Sequence, residues 1–378
     1  MTPIKRKSDR ILLTGGAGFI GSFVCDLLVE QGYQVIVLDN LDAQVHTAGQ
    51  WPEWRNPKAA YHLADCSDPT VWQEWLPQAD AVIHLAAAVG VGQSQYQIAH
   101  YVRTNTLGTA LMLDAMVNGQ HRPRKVIVAA SMSSYGEGLY RRPDGKLISP
   151  PLRPLAQLQK HEWELRDTDG EPLTPVHTPE TKPLHCTSVY AITKKDQEEL
   201  VLNIGRSYNI PSVALRFFNV YGPRQSLSNP YTGVAAIFLS RLRNGRPPLV
   251  FEDGGQSRDF ISVHDLAAVV VKALESDALD GQVANVGTSQ PRTVLEVSAT
   301  LANCLGVEIA PEVTGQYRAG DVRHCFADNS RLRERLGFTP QWSFSDGMAE
   351  LVDWSLSVEA RDQVDQATAE LRRRGLLE

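Results

Sequence analysis

The sequence predicts an α/β protein, a doubly wound parallel sheet with a smaller C-terminal lobe, and three observations carry that expectation. Apolar runs of the buried type alternate with helix-patterned segments over the first 130 residues. Strands separated by helices at that interval make a parallel sheet with right-handed crossovers. The first run flows directly into a cluster of glycines and then a helix. From about residue 222 the alternation gives way to a mixed pattern, with a helix near 233–244, short strands and a C-terminal helical stretch.

Residues 11–21 read Ile-Leu-Leu-Thr-Gly-Gly-Ala-Gly-Phe-Ile-Gly, and Ser22–Glu30 has helical spacing of its apolar positions. Glycine is required in such a turn because a side chain would keep the backbone away from a pyrophosphate at the helix N-terminus. The next strand, Tyr33–Asp39, ends in an acid 18 positions beyond Gly21, where a ribose hydroxyl would sit. Together these predict a Rossmann-type dinucleotide site. Asp39 would accept both ribose hydroxyls and repel a 2′-phosphate, and Asn40-Leu41-Asp42 offers no cation to hold one, so NAD is expected rather than NADP.

After a loop over 41–58 comes a short strand ending at Asp65, placed to reach an adenine edge. A buried strand over 81–87, a helix near 97–118 and a strand over 125–130 follow. Ligands of such sheets bind at the carboxyl ends of the strands, so the informative residues should lie just after each one. Residues 137–185 break the pattern with many prolines and charges, and an insert of that length is expected to be a lid, a binding loop or disorder. A helix over 189–207 and a strand over 212–219 resume the sheet. The expected domains are 8–222, carrying the insert, and 223–378, with part of 258–287 returning to the first.

Composition excludes several classes. With 43% apolar and 21% charged residues and a net charge of −6, there is no basic surplus for nucleic acid. No apolar run approaches the ~18 residues of a membrane span. The polar lead over residues 1–10 lacks the apolar centre of a secretion signal. Five cysteines, at 25, 66, 186, 304 and 325, are scattered and never form Cys-x-x-Cys. They argue against a disulfide framework or a metal site and fit a reducing cytoplasm.

Tyr190 and Lys194 lie four residues apart at the start of a helix and share one face. A nearby ammonium stabilises a phenolate and can lower a tyrosine from its reference of ~10 toward neutrality. A tyrosine so tuned can take a hydroxyl proton while hydride leaves the same carbon. Ser131-Met-Ser-Ser-Tyr-Gly136 follows a strand directly, so the hydroxyl of Ser131 or Ser133 is available to the reacting oxygen.

Taken together, Gly15–Gly21, Asp39, His84-Leu-Ala-Ala87, Asn105, Ser131–Gly136 and the Tyr190/Lys194 pair resemble the extended short-chain dehydrogenase/reductase family, in its nucleotide-sugar epimerase and dehydratase branch. The resemblance implies a cofactor site lined by Gly15, Gly18, Phe19, Ile20, Asp39, Asn40, Asp65, Cys66, Leu85, Ala86, Ala87, Asn105, Tyr190 and Lys194. The runs 216–225, 256–265 and 318–323 are similar to the family's sugar-nucleotide segments. They imply that Asn219 binds phosphate or sugar while Arg258 and Arg323 clamp the diphosphate of a nucleoside-diphosphate sugar. A homodimer is implied as well.

Members of the branch begin by oxidising the sugar at C4. Its dehydratases carry Asp and Glu at the positions of Met132 and Ser133, its decarboxylases an acid opposite Ser133, and its 3,5-epimerases a thiol there. Met132 and Ser133 provide none of these groups. The expected activity is therefore a 4-epimerase, acting on a dTDP-6-deoxyhexose by the same resemblance. The alternatives are a dehydratase, a decarboxylase, a 4-ketoreductase that consumes its cofactor, or an inactive NAD-binding scaffold.

Overall fold

The computed structural model describes residues 9–46, 49–318 and 320–377. Most of the polar lead, Ser8 at the expected domain start, and Ala319 within the Arg318–Arg323 run lie outside the described residues. So does Glu378, at the expected end of the second domain.

Strands β1 (Arg10–Thr14), β2 (Gln34–Asp39), β3 (Ala60–Leu63), β4 (Ala81–His84) and β5 (Val126–Ser131) alternate with helices α1 (Phe19–Glu30), α2 (Pro69–Trp75), α3 (Val91–Ser94), α4 (Ile98–Tyr101) and α5 (Gly108–Asn118). The helix expected near 97–118 is broken by a π turn over Val102–Leu107, a wider coil that often marks a functional position. It carries Asn105 into full burial.

The inserted segment is ordered. β6 (Leu139–Arg141), β7 (Leu147–Ile148) and β8 (Thr174–Val176) form an antiparallel sheet in the order β7-β6-β8, with α6 (Leu155–Leu158) alongside. Its strands close over Tyr140, Leu165 and Leu173, a small core of their own. Prolines keep the strands short, and ion pairs to the second lobe hold the unit down, among them Arg153 Nη2 to Glu252 Oε1 at 2.8 Å.

Helix α7 (Val189–Tyr208) and β9 (Ser212–Phe217) return the chain to the main sheet. The second lobe holds β10 (Asn219–Tyr221), α8 (Val234–Arg243), β11 (Leu249–Val250) and β12 (Ser257–Ser262). After α9 (Val263–Glu275), β13 (Gln282–Val286) pairs in parallel with β9. The seven-stranded parallel sheet thus runs β13-β9-β5-β4-β1-β2-β3. The chain then crosses again, through β14 (Pro291–Thr293), α10 (Val294–Leu305), β15 (Glu312–Val313) and β16 (His324–Cys325). It ends with α11 (Ser330–Leu336), α12 (Phe344–Ser355) and α13 (Val364–Arg373).

Both faces of the central sheet are covered, which is why its strands read as continuous Val/Ile/Leu runs rather than alternating ones. One face packs Ile11, Leu13, Val35 and Val37 against α1 and α9, and the other packs Leu12, Val82 and Val128 against Trp72 and Met112. A third core, with Phe238, Leu239, Leu301 and Leu351, lies between α8, α10 and α12. No helix among the described residues is long and apolar enough to cross a membrane.

Candidate active site

The carboxyl ends of β1, β2 and β4 meet around the glycine turn. Gly15 has φ +70°, and a Cβ on it would lie 2.9 Å from the Ala86 nitrogen. A Cβ on Gly21 would lie 2.1 Å from the Gly15 oxygen, so α1 starts directly against the turn. Gly18 caps the helix with no side-chain bond, which leaves Phe19 and Ile20 in a first turn whose amides and dipole suit an anion. A pyrophosphate fits this cradle and a side chain does not.

The Asp39 carboxylate is oriented by backbone amides. Ala17 donates to Oδ2 at 3.1 Å and Leu41 to Oδ1 at 3.0 Å, while His46 Nε2 stands 3.7 Å away. Burial lowers the pKa of that histidine, a residue of the 41–58 loop that the sequence pattern did not single out. Asn40 Nδ2 donates to Asp65 at 3.3 Å, and the Ser67 amide draws the Asp65 carboxyl below its ordinary range. Cys66 is buried beside Gly108, with its thiol pushed upward by desolvation. Ala86 donates its amide to Thr14 Oγ1 at 3.1 Å, which fixes the Leu85–Ala87 turn. Asn105 is fixed from within the protein. Its amide is engaged by Ala88 N, Ala88 O and Thr193 Oγ1, so it holds the chain after β4 in place.

Ser188 starts α7 by accepting the Ala191 amide at 3.1 Å, and this cap sets Tyr190 and Lys194 in the first turns. Ser131 is the last residue of β5, and its hydroxyl lies close enough to Tyr190 to draw that phenol downward against the effect of burial. Ser133 donates its Oγ to Ser131 Oγ at 2.9 Å, so Ser131 and Ser133 stand with Tyr190 at one sheet edge, and Lys194 follows one turn along α7. The electrostatics differ from the expectation of a lowered tyrosine. Burial raises Tyr190 above its ordinary value and pushes Lys194 down to about 7. The Lys194 ammonium is turned to Gln197 Oε1, 2.6 Å away, rather than to the phenol. Desolvation is the main cause of both shifts, and a cationic ring beside the phenol would supply an opposing field.

On the second lobe, Asn219 Oδ1 is buried with no partner among the described residues, which leaves it free to accept a hydrogen bond. The expected pair of gripping arginines is not what the structure builds. Arg323 is 2% exposed and caged by Glu164, Glu252 and Asp253, with Nη1 2.7 Å from Asp253 Oδ1 and Nε 3.0 Å from Glu164 Oε1. Three carboxylates satisfy it, so no free fork remains for a diphosphate. Arg258 is bonded to the carbonyls of Ser257, Val322 and Arg323, with Asp321 3.5 Å away. Arg318 has no carboxylate partner among the described residues. It lies 4.5 Å over the Phe251 ring and its buried Nε has no partner among the described residues. It stands in the same 318–323 run that drew attention to Arg323, but only the fold reveals which of the two is free.

The chain matches the model of the "NAD dependent epimerase/dehydratase family" over residues 11–159 and 167–287. It is 35% identical to a dTDP-L-rhamnose 4-epimerase of Burkholderia thailandensis over 347 residues, covering 91% of this chain and 94% of that protein. Among solved structures, a UDP-glucose 4-epimerase of Thermotoga maritima with UDP-glucose superposes with a TM-score of 0.75 at 30% identity, covering 92% of this chain and 99% of that one. A UDP-glucuronic acid 4-epimerase of Bacillus cereus, in complex with UDP-glucuronic acid and NAD, gives a TM-score of 0.76 at 26% identity, covering 93% and 100%.

Proposed function

The chain belongs to the NAD dependent epimerase/dehydratase family, and within it we propose that the protein is a nucleotide-sugar 4-epimerase acting on a dTDP-6-deoxyhexose. One observation carries the reaction type. Tyr190 and Ser131 meet at the end of β5 with Lys194 one turn along α7, while the next two side chains, Met132 and Ser133, bear neither carboxyl nor thiol. Elimination or enolisation needs an acid or base there, and hydride exchange at C4 does not.

Gly15, Gly18 and the start of α1 would hold the NAD pyrophosphate, Asp39 the adenosine ribose, and Lys194 the ribose beside the ring. Bound there, NAD would supply the hydride-accepting and hydride-donating chemistry at C4. Tyr190 accepts the O4 proton as the sugar becomes a ketone and gives it back on re-reduction. Ser131 hydrogen-bonds the same oxygen and fixes its distance from Tyr190, and Ser133 holds the Ser131 hydroxyl in place. Arg318 and Asn219 hold the diphosphate side, leaving the sugar free to turn between the two hydride transfers.

The substrate class follows the likeness to the dTDP-L-rhamnose 4-epimerase. Residues 8–222 with the 258–287 return form the cofactor half, and the rest of 223–378 the sugar-nucleotide half. The insert over 137–185 closes the substrate side against water. Ile98, Val102 and Ile192 leave an exposed apolar face on α4, the π turn and α7, which supports a homodimer through those helices. All five cysteines are free thiols, in keeping with a reducing cytoplasm.

The test is a nucleotide sugar deuterated at C4, incubated with the purified protein. The label should stay at C4 in the epimer, with no added cofactor consumed. Exchange of solvent deuterium into C3 or C5 would exclude the 4-epimerase assignment.

A further inference from the structure

Lys194 is 3% exposed and has no carboxylate partner among the described residues, an arrangement that is costly unless something receives its protons. Its acceptor is Gln197, one turn further along α7 and wholly buried. The Gln197 amide is in turn held from the other side. Its Nε2 donates to Thr109 Oγ1 at 2.8 Å, and Thr109 donates its own hydroxyl to the Asn105 carbonyl at 2.8 Å. Because that hydrogen is committed, His84 Nε2, 3.0 Å from Thr109 Oγ1, must also be a donor. His84 Nδ1 is then an acceptor and takes the Thr14 hydroxyl at 2.8 Å. Burial drives His84 down to about 3, so it stays neutral and keeps this tautomer. Thr14 Oγ1 closes the chain by accepting the Ala86 amide.

Every donor direction in this buried chain is therefore determined, and it ends with the Gln197 oxygen facing the ammonium. An ammonium has three N–H donors. Gln197 takes one and leaves two for whatever occupies the cleft. We infer that Gln197 is a positioning residue for Lys194, one that holds the ammonium on the cofactor side and ties it through Thr109, His84 and Thr14 to the turn that cradles the dinucleotide. The inference rests on Lys194 being a working member of the site. Among the described residues the titratable group beside Lys194 is His84 from β4, with Tyr190 one turn back on its own helix, whereas Asn105 and Thr109, from the π turn and α5, carry no charge.

Two substitutions separate this role from simple packing. Gln197→Met keeps the volume and removes the acceptor, and Gln197→Glu replaces the amide by an anion. The ε-amino group of Lys194, followed by NMR of lysine-labelled protein without cofactor, should titrate lower in the first and higher in the second. The expected size is about one to two pH units, that of a hydrogen bond to a charged group. NAD affinity, measured by calorimetry across pH, should fall on the alkaline side. That fall should move down in Gln197→Met and up in Gln197→Glu. In a Lys194→Ala background neither substitution should alter NAD affinity further. An unmoved lysine titration in Gln197→Glu, or equal loss of affinity at every pH, would overturn the inference. That holds even where Gln197→Met fails to fold. Failure of the protein to epimerise any sugar would remove the proposed function and leave these two readouts standing.

Discussion

Glu164 of the insert and Arg323 of the second lobe are joined side chain to side chain, with Arg323 Nε donating to Glu164 Oε1 at 3.0 Å. The other Glu164 oxygen receives His324 Nε2 at 3.1 Å. A carboxylate from an insert in one half thus fastens the segment that also carries Arg318 in the other half. The family match breaks off between residues 159 and 167, around this same carboxylate.

This latch should be sensitive to acid. The hydrogen bond from His324, then those from Arg323, pull Glu164 from its ordinary 4.5 down to about 2. A carboxyl depressed on folding contributes stability that is present above its unfolded value and lost as pH falls through the folded one. The contribution should therefore disappear between pH 4.5 and about 2. The thermal midpoint of Glu164→Gln should depend less on pH across that window than that of the unaltered protein.

Arg318→Ala and Arg323→Ala should fail in different ways. Hydrogen bonds to charged groups are worth about 1.5–3 kcal/mol, so loss of Arg318 should weaken binding of a free nucleoside diphosphate by roughly one to two decades with stability unchanged. Arg323→Ala strips a partner from Glu252, which is 2% exposed. Breaking a buried pair costs about 3–5 kcal/mol, and Arg153 remains on Glu252, so a loss near the lower figure is expected in chemical denaturation. Unaltered nucleotide affinity in Arg318→Ala would remove that residue from the site.

Tyr190→Phe should lower turnover by about 10²–10⁴-fold, the range of a positioned proton-transfer group. NAD affinity should stay near normal, because only the hydroxyl is lost. Lys194→Ala should reduce both. More than about a tenth of the original rate in Tyr190→Phe would contradict its proton-transfer role.

Gly21→Ala reverses an ordinary trend. In a helix interior, alanine is favoured over glycine by about 1 kcal/mol. Here the added carbon would meet the Gly15 oxygen at 2.1 Å and the Gly16 Cα at 2.7 Å. Helix α1 must shift off the turn, and NAD binding measured by calorimetry should be lost while the protein remains folded.

Much of the cofactor half was legible in the chain because its signals are local. The Gly15–Gly21 turn, the acid ending β2 and the Tyr190/Lys194 spacing each lie within one or two adjoining elements. Backbone conformation and helix periodicity are enough to read them. The insert was less legible. Its prolines announced a break in the sheet, but the β7-β6-β8 sheet closes over residues from three separated stretches, Tyr140, Leu165 and Leu173.

The sequence by itself determined the doubly wound sheet, the dinucleotide turn and which residue types stand at the ends of β2, β5 and α7. Only the tertiary structure decided their partners. Arg323 meets Glu164 and Glu252, and Lys194 reaches Thr14 through Gln197, Thr109 and His84. Only the fold separated Arg318, left over Phe251, from Arg323, caged beside it. The physical reason is that an arginine's chemistry is the same in any chain, whereas its availability depends on which carboxylates the packing of distant segments brings within hydrogen-bond reach.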